Sequence, residues 1–181
     1  MKKSMTKWIT VTALMMAFVI ASGYIPKLPT PIGNIYWCDG PIIIAALLLD
    51  PVGAFLAGGV SMLLYDFMVG SAYMAVPSLV IHGLQAIVIS VLAHYAFGKW
   101  DNLLTALLSA LVGAVVVIGG YFLQRTFFLA DAGLSVALAK MPANFIQEGV
   151  GIALALVVVY VCRVKALLKK NDLLPPLLFS K

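Results

Sequence analysis

Between Trp8 and Arg163 the chain runs through six apolar stretches separated only by prolines, glycines and short polar turns. A bilayer core of about 30 Å takes roughly 20 apolar residues per helix, so spans of this kind leave little freedom in the choice of fold. With 181 residues, 63% of them hydrophobic and only 10% charged, the chain has the composition of a polytopic membrane protein. It holds no stretch that would build a soluble catalytic or nucleotide-binding domain. The fold expected is all-α, a single membrane domain over residues 1–181 with six transmembrane helices at 8–24, 36–49, 51–69, 77–97, 102–123 and 142–163.

Charge sets the orientation. The net charge is +5, but the basic residues gather at Lys2, Lys3 and Lys7 and again at Arg163, Lys165, Lys169, Lys170 and Lys181. That is the positive-inside pattern rather than a groove for nucleic acid, and it predicts cytoplasmic N and C termini and an even number of spans. Lys99 joins the inner set; Lys27, Arg125 and Lys140 fall outside. The first apolar stretch lacks a convincing small-residue cleavage site and is read as a retained helix. Cys38 and Cys162 fall on opposite sides of the membrane in this topology, which precludes a disulfide between them.

Proline and capping residues mark the segment ends. Pro26, Pro29 and Pro31 break the chain after the first span and predict an ordered or semi-ordered outer loop. Asp50-Pro51 reads as an N-cap followed by proline at the first helical position, so the third span starts after a tight inner turn. Pro77 and Pro142 are placed at the starts of the fourth and sixth spans, and Asp101 or Asn102 caps the fifth. The stretch from Arg125 to Met141 is expected to be an outer loop, with room for a short surface helix. No internal repeat is visible, which argues against an inverted-repeat secondary transporter.

The polar residues that a membrane should forbid share one depth. Ser78, His82 and Gln85 lie on one face of the fourth span, and Asn144, Gln147 and Glu148 open the sixth. Tyr121, Gln124 and Arg125 close the fifth, Asp66 ends the third, and Asp39 opens the second. Ionisable groups in a bilayer cost roughly 2.5 to 3.5 kcal/mol each on insertion scales and face a cavity or a partner. A pocket for a small polar solute follows, in which His82, Gln85, Asn144 and Gln147 hydrogen-bond a heteroaromatic ring and Tyr121, Tyr73 or Trp37 packs against it. Asp66, Arg125 and Glu148 are open to two readings, ligand contact or structural pairing of Arg125 with either carboxylate.

Ala13, Ala17 and Ala21 make a flat stripe on the first span, at a spacing that lets another helix approach closely. Ala106, Ala110 and Ala114 repeat it on the fifth span. No metal-ligand cluster is present, His82 and His94 being isolated from other ligands, and no nucleophile-base-orienter set or phosphate-binding loop occurs. The chain is not expected to be an enzyme or to hold a cofactor of its own.

The runs CDGPIIIAALLLDPVGAFLAGGVSMLLYDFMVG, LVIHGLQAIVIS and MPANFIQEGVG resemble the substrate-binding S components of energy-coupling factor (ECF) vitamin transporters, and the resemblance covers nearly the whole chain. It implies a multi-pass subunit of a bacterial plasma membrane that captures a vitamin or precursor from outside. Such subunits dock on a transmembrane coupling subunit (ECF-T) driven by two cytoplasmic ATPases (ECF-A and ECF-A′), which use the ATP. It also implies that the small-residue stripe at Ala13, Ala17 and Ala21 meets the coupling subunit. The pocket is implied to lie toward the outer side, where His82, Gln85, Tyr121, Asn144 and Gln147 fall, with Trp37 and Asp39 beside it. Within the family the pattern is most similar to the hydroxymethylpyrimidine or pyridoxine branch, with riboflavin-type S components as relatives and pantothenate as a compatible ligand. Family members often carry lysine where this chain has His82. The alternatives from other classes are a membrane scaffold whose polar cluster is structural, and a self-sufficient channel or carrier.

Overall fold

The computed structural model describes residues 5–30, 33–96, 102–128 and 133–174. Seven helices are found among them: α1 (Met5–Gly23), α2 (Asp39–Leu48), α3 (Pro51–Met68), α4 (Ala72–Ala96), α5 (Leu103–Phe127), α6 (Leu134–Val161) and α7 (Val164–Lys170). Five of these, α1, α3, α4, α5 and α6, are long and apolar enough to cross a membrane. The sixth apolar helix, α2, has only ten residues, and all ten are buried. It lies at the centre of the bundle, against α1, α3, α4 and α6. That position explains its unbroken run of Ile, Ala and Leu, since a helix with protein on every side needs no polar face.

The connection from α1 to α2 contains a small antiparallel hairpin. Strand β1 (Leu28–Thr30) pairs with β2 (Gly33–Ile35), Leu28 opposite Ile35. Lys27 Nζ stands 4.7 Å from the Tyr36 ring centre, and the Trp37 indole donates to the Pro26 carbonyl at 3.0 Å, closing the base of the hairpin.

Local signals fix several boundaries. Asp50 caps α3, its Oδ1 accepting from the Gly53 N–H at 3.3 Å with Pro51 next in line. Trp8 Nε1 also donates to that oxygen, at 2.5 Å, so the start of α1 is fastened to the turn between α2 and α3. Of the two candidate caps for α5, the cap is Asn102, in a reciprocal capping box with Thr105; Asp101 lies outside the described residues.

Two expected starts are corrected. Helix α4 begins at Ala72, not Pro77, and α6 begins at Leu134, not Pro142, so both prolines sit inside helices. Each removes one N–H from the ladder and disfavours a helical residue before it. Neighbouring helices and short polar side chains make that tolerable within a bundle. The stretch from Arg125 to Met141 is therefore mostly helix. The Gly133 N–H donates to the Arg125 carbonyl at 3.0 Å, and Gly133 has φ +116°, a conformation open to glycine but strained for other residues.

Close approach of α3 to α4 depends on Gly58 and Gly59. A Cβ at Gly59 would stand 2.7 Å from the Leu79 carbonyl oxygen and 3.0 Å from the Gly83 Cα. Ala106, Ala110 and Ala114 are buried on α5 and pack inside the bundle. At the bundle end that carries Trp8, Lys7 pairs with Asp172 at 2.8 Å, so the beginning of α1 and the residues after α7 lie side by side.

Candidate ligand-binding cavity

One cavity of about 340 Å³ opens where the polar segment ends converge. Helical spacing brings its walls together. On α6, Lys140, Asn144 and Gln147 succeed one another at four and three residues along a single face. Tyr121 and Arg125 do the same on α5, and Met74, Ser78 and His82 on α4. Met62, Tyr65 and Asp66 come from α3; Tyr36, Cys38 and Asp39 enter from the start of α2 and the chain before it.

A directed chain of hydrogen bonds runs from the cavity wall into the protein. Gln85 gives its amide N–H groups to Glu148, at 3.1 Å to Oε2 and 3.4 Å to Oε1, so its carbonyl oxygen faces His82. His82 Nδ1 then donates to that oxygen at 3.2 Å, which leaves Nε2 to accept from the Tyr121 hydroxyl at 2.9 Å. Ser78 Oγ lies 3.3 Å from the same hydroxyl. The imidazole ring is thus held in one tautomer by partners on two helices, with the Asp39 carboxylate 3.6 Å from Nδ1.

Gln147 is also spent within the protein. Its Nε2 donates to Asp39 Oδ2 at 2.5 Å and its Oε1 accepts from the Tyr36 N–H at 3.0 Å, tying the hairpin's exit to α6. Other cavity groups have no such use. Asp66 Oδ2, Arg125 Nη1 and Asn144 Nδ2 are buried atoms with no hydrogen-bond partner in the protein. Buried polar atoms are ordinarily paired, so three residues with an unpaired atom around one cavity mark its wall as short of partners.

Of the residues expected at the pocket, Asp39, His82, Tyr121, Asn144 and Gln147 line the cavity. Gln85 does not; it is fully buried behind His82. Trp37 does not either, because its indole is turned to Pro26. The pairing offered for Arg125 is absent: neither Asp66 nor Glu148 lies within ion-pair range, and its guanidinium stands over the Tyr121 ring at 5.3 Å instead. Lys140 was missed because the segment before Pro142 reads as a loop, although its four-residue spacing to Asn144 was visible. Tyr36, Tyr65, Met62 and Met74 carry no signal that separates them from ordinary apolar positions.

On the outer surface of α1, Ala13, Ala17 and Ala21 are all exposed, beside exposed Leu14 and Phe18. The same spacing on α5 is wholly internal, so exposure distinguishes the two stripes.

The model of the ECF-type riboflavin transporter S component family matches residues 3–164. That match does not reach the narrower hydroxymethylpyrimidine or pyridoxine branch. A search among curated proteins found no match.

Proposed function

The chain belongs to the family of ECF-type riboflavin transporter S components, and on that footing we propose that its cavity captures a hydroxylated nitrogen-ring vitamin or precursor from the outer side of the membrane. The family is one of multi-pass transporter subunits that bind substrate, not of enzymes. The observation that carries the reading is the gathering of Asp66, Arg125 and Asn144, each carrying a buried polar atom without a protein partner, around one cavity framed by Tyr36, Tyr65 and Tyr121. Hydrogen-bonding groups at the walls and aromatic faces around them suit a flat ring with polar substituents. At about 340 Å³ the space falls within the range of small-molecule sites, roughly 300 to 1,000 Å³. Hydroxymethylpyrimidine or pyridoxine is the first reading from the sequence. Riboflavin is the second, favoured by the name of the matching family.

Uptake then needs the transmembrane coupling subunit and its two ATPases. The exposed Ala13, Ala17 and Ala21 stripe is the face proposed to dock there, with six crossings and both termini cytoplasmic. The Lys7 contact with Asp172 supports an even number of crossings.

The test is mass spectrometry of small molecules released on denaturing the purified protein, followed by titration of the emptied protein using tryptophan fluorescence. Recovery of one vitamin at near one per chain is expected. A protein that carries nothing and ignores riboflavin, pyridoxine, hydroxymethylpyrimidine and pantothenate would sink the proposal and favour a scaffold.

A further inference from the structure

We infer that the cavity selects an acidic vitamer: a nitrogen heterocycle whose carboxylate or phosphate ester is held by Arg125 and Lys140, and whose ring N–H meets Asp66. This rests on the cavity being the vitamin site and adds the charge of its ligand.

Arg125 and Lys140 share one wall and Asp66 comes from another, while Asp39 is already engaged by Gln147 and stands 3.6 Å from His82 Nδ1. Arg125 lies in the last turn of α5 and Lys140 in the early turns of α6; the Gly133 N–H bonds the Arg125 carbonyl, so those two helix ends lie beside each other and both side chains line the cavity. Asn144, one turn beyond Lys140, adds an unpartnered amide N–H to the same wall. Asp66 comes from α3, which packs chiefly on α1 and α4 rather than on α5 or α6. Its side chain is 7% exposed and Oδ2 has no protein partner. Among the described residues no carboxylate lies within 4.0 Å of Arg125 or Lys140, so the opposed charges do not neutralise each other.

Charges left apart in a membrane-embedded cavity are costly to hold, and a guest that bridges them recovers that cost. A guanidinium backed by the Tyr121 ring presents a planar fork suited to a carboxylate or phosphate, and the nearby ammonium adds a second point charge. On the other wall Asp66 is an acceptor, so the far end of the guest must donate. A neutral ring would leave Arg125 and Lys140 without a counter-charge, whereas a ring bearing one acidic substituent meets both walls.

The experiment compares neutral and acidic members of one ring type on the full chain: riboflavin with its monophosphate, and pyridoxine with its phosphate ester and with pyridoxic acid. An acidic member is expected to bind about tenfold or more tightly than its neutral parent, from charge-assisted hydrogen bonds. Comparing pyridoxic acid with the phosphate ester identifies which acidic group is used. In Arg125→Gln and Lys140→Gln the ratio of the two affinities should fall toward one, and in Arg125→Lys it should be kept in part, the charge remaining while the fork is lost. Neutral members binding as well as acidic ones in the unaltered protein would overturn the inference and keep the vitamin-binding reading. A ratio that survives both glutamine variants would also overturn it. Binding of none of the compounds would overturn both.

Discussion

Gln147 Nε2 donates to Asp39 Oδ2 across 2.5 Å, so one side chain on α6 fastens the first residue of α2. The other half of the same amide holds the Tyr36 N–H at the exit of the hairpin. The head of α2 and the exit of the hairpin are therefore moored at a single position.

Gln147→Ala should loosen both. Losing a buried bond to a carboxylate costs about 1.5–3 kcal/mol, or roughly one to two orders of magnitude in ligand affinity if it acts through the cavity. Hydrogen exchange at residues 33–36 should quicken in the same variant. Unchanged affinity together with unchanged exchange would show that the bridge positions nothing.

Glu148 is buried and engages Gln85 through both oxygens. Glu148→Ala strands the Gln85 amide and should destabilise the protein by about 1–3 kcal/mol. Glu148→Gln keeps a hydrogen-bond acceptor for the Gln85 amide in a side chain of the same size, so it should unfold close to the temperature of the unaltered protein. Thermal unfolding in detergent separates the two variants, and an equal loss in both would refute the assignment.

Exposure should decide the fate of equal alanine substitutions. Ala17→Trp, on the exposed face of α1, is expected to keep vitamin binding while abolishing ATP-driven uptake in liposomes with the coupling module. Ala110→Trp, fully buried on α5, should instead lower the unfolding temperature, since overpacking costs about 1–3 kcal/mol or more. Normal uptake by the first variant would remove α1 from the docking face.

Asp50→Ala removes the acceptor of both Trp8 Nε1 and the Gly53 N–H. A lost N-cap alone costs about 0.5–2 kcal/mol, and the stranded indole adds to it. Asp50→Asn, which can still accept, should recover most of the loss in a thermal melt.

Composition and capping made much of this architecture legible. Asp50-Pro51 marked the α3 start and Asn102 marked the α5 start because each boundary is decided by the backbone groups next to it. Pro77 and Pro142 misled for the complementary reason. A proline is compatible with a helix start but does not require one, and the surrounding bundle holds each helix together through the missing bond. Placing α6 eight residues late put Lys140 in a loop. His82, Tyr121 and Asn144 were readable as cavity residues because they are polar at a common depth. Gln85 and Trp37 share that depth but turn elsewhere, toward Glu148 and Pro26, and direction of that kind is set by tertiary contacts.

The shortness of α2 has an electrical consequence. Ten helical residues rise about 15 Å, half of a bilayer core of about 30 Å. Asp39 at its head stands that far above the turn at Leu49 and Asp50. With the cavity open to the outer solution, as proposed, a polar well reaching down to Asp39 would thin the insulating layer, and the transmembrane voltage would then fall mostly across the stretch that α2 fills. An ion resting on that floor would have crossed little of the field, and nearly all the electrical work of its entry, about 2.3 kcal/mol per charge per 100 mV, would be left to the step that carries it past α2.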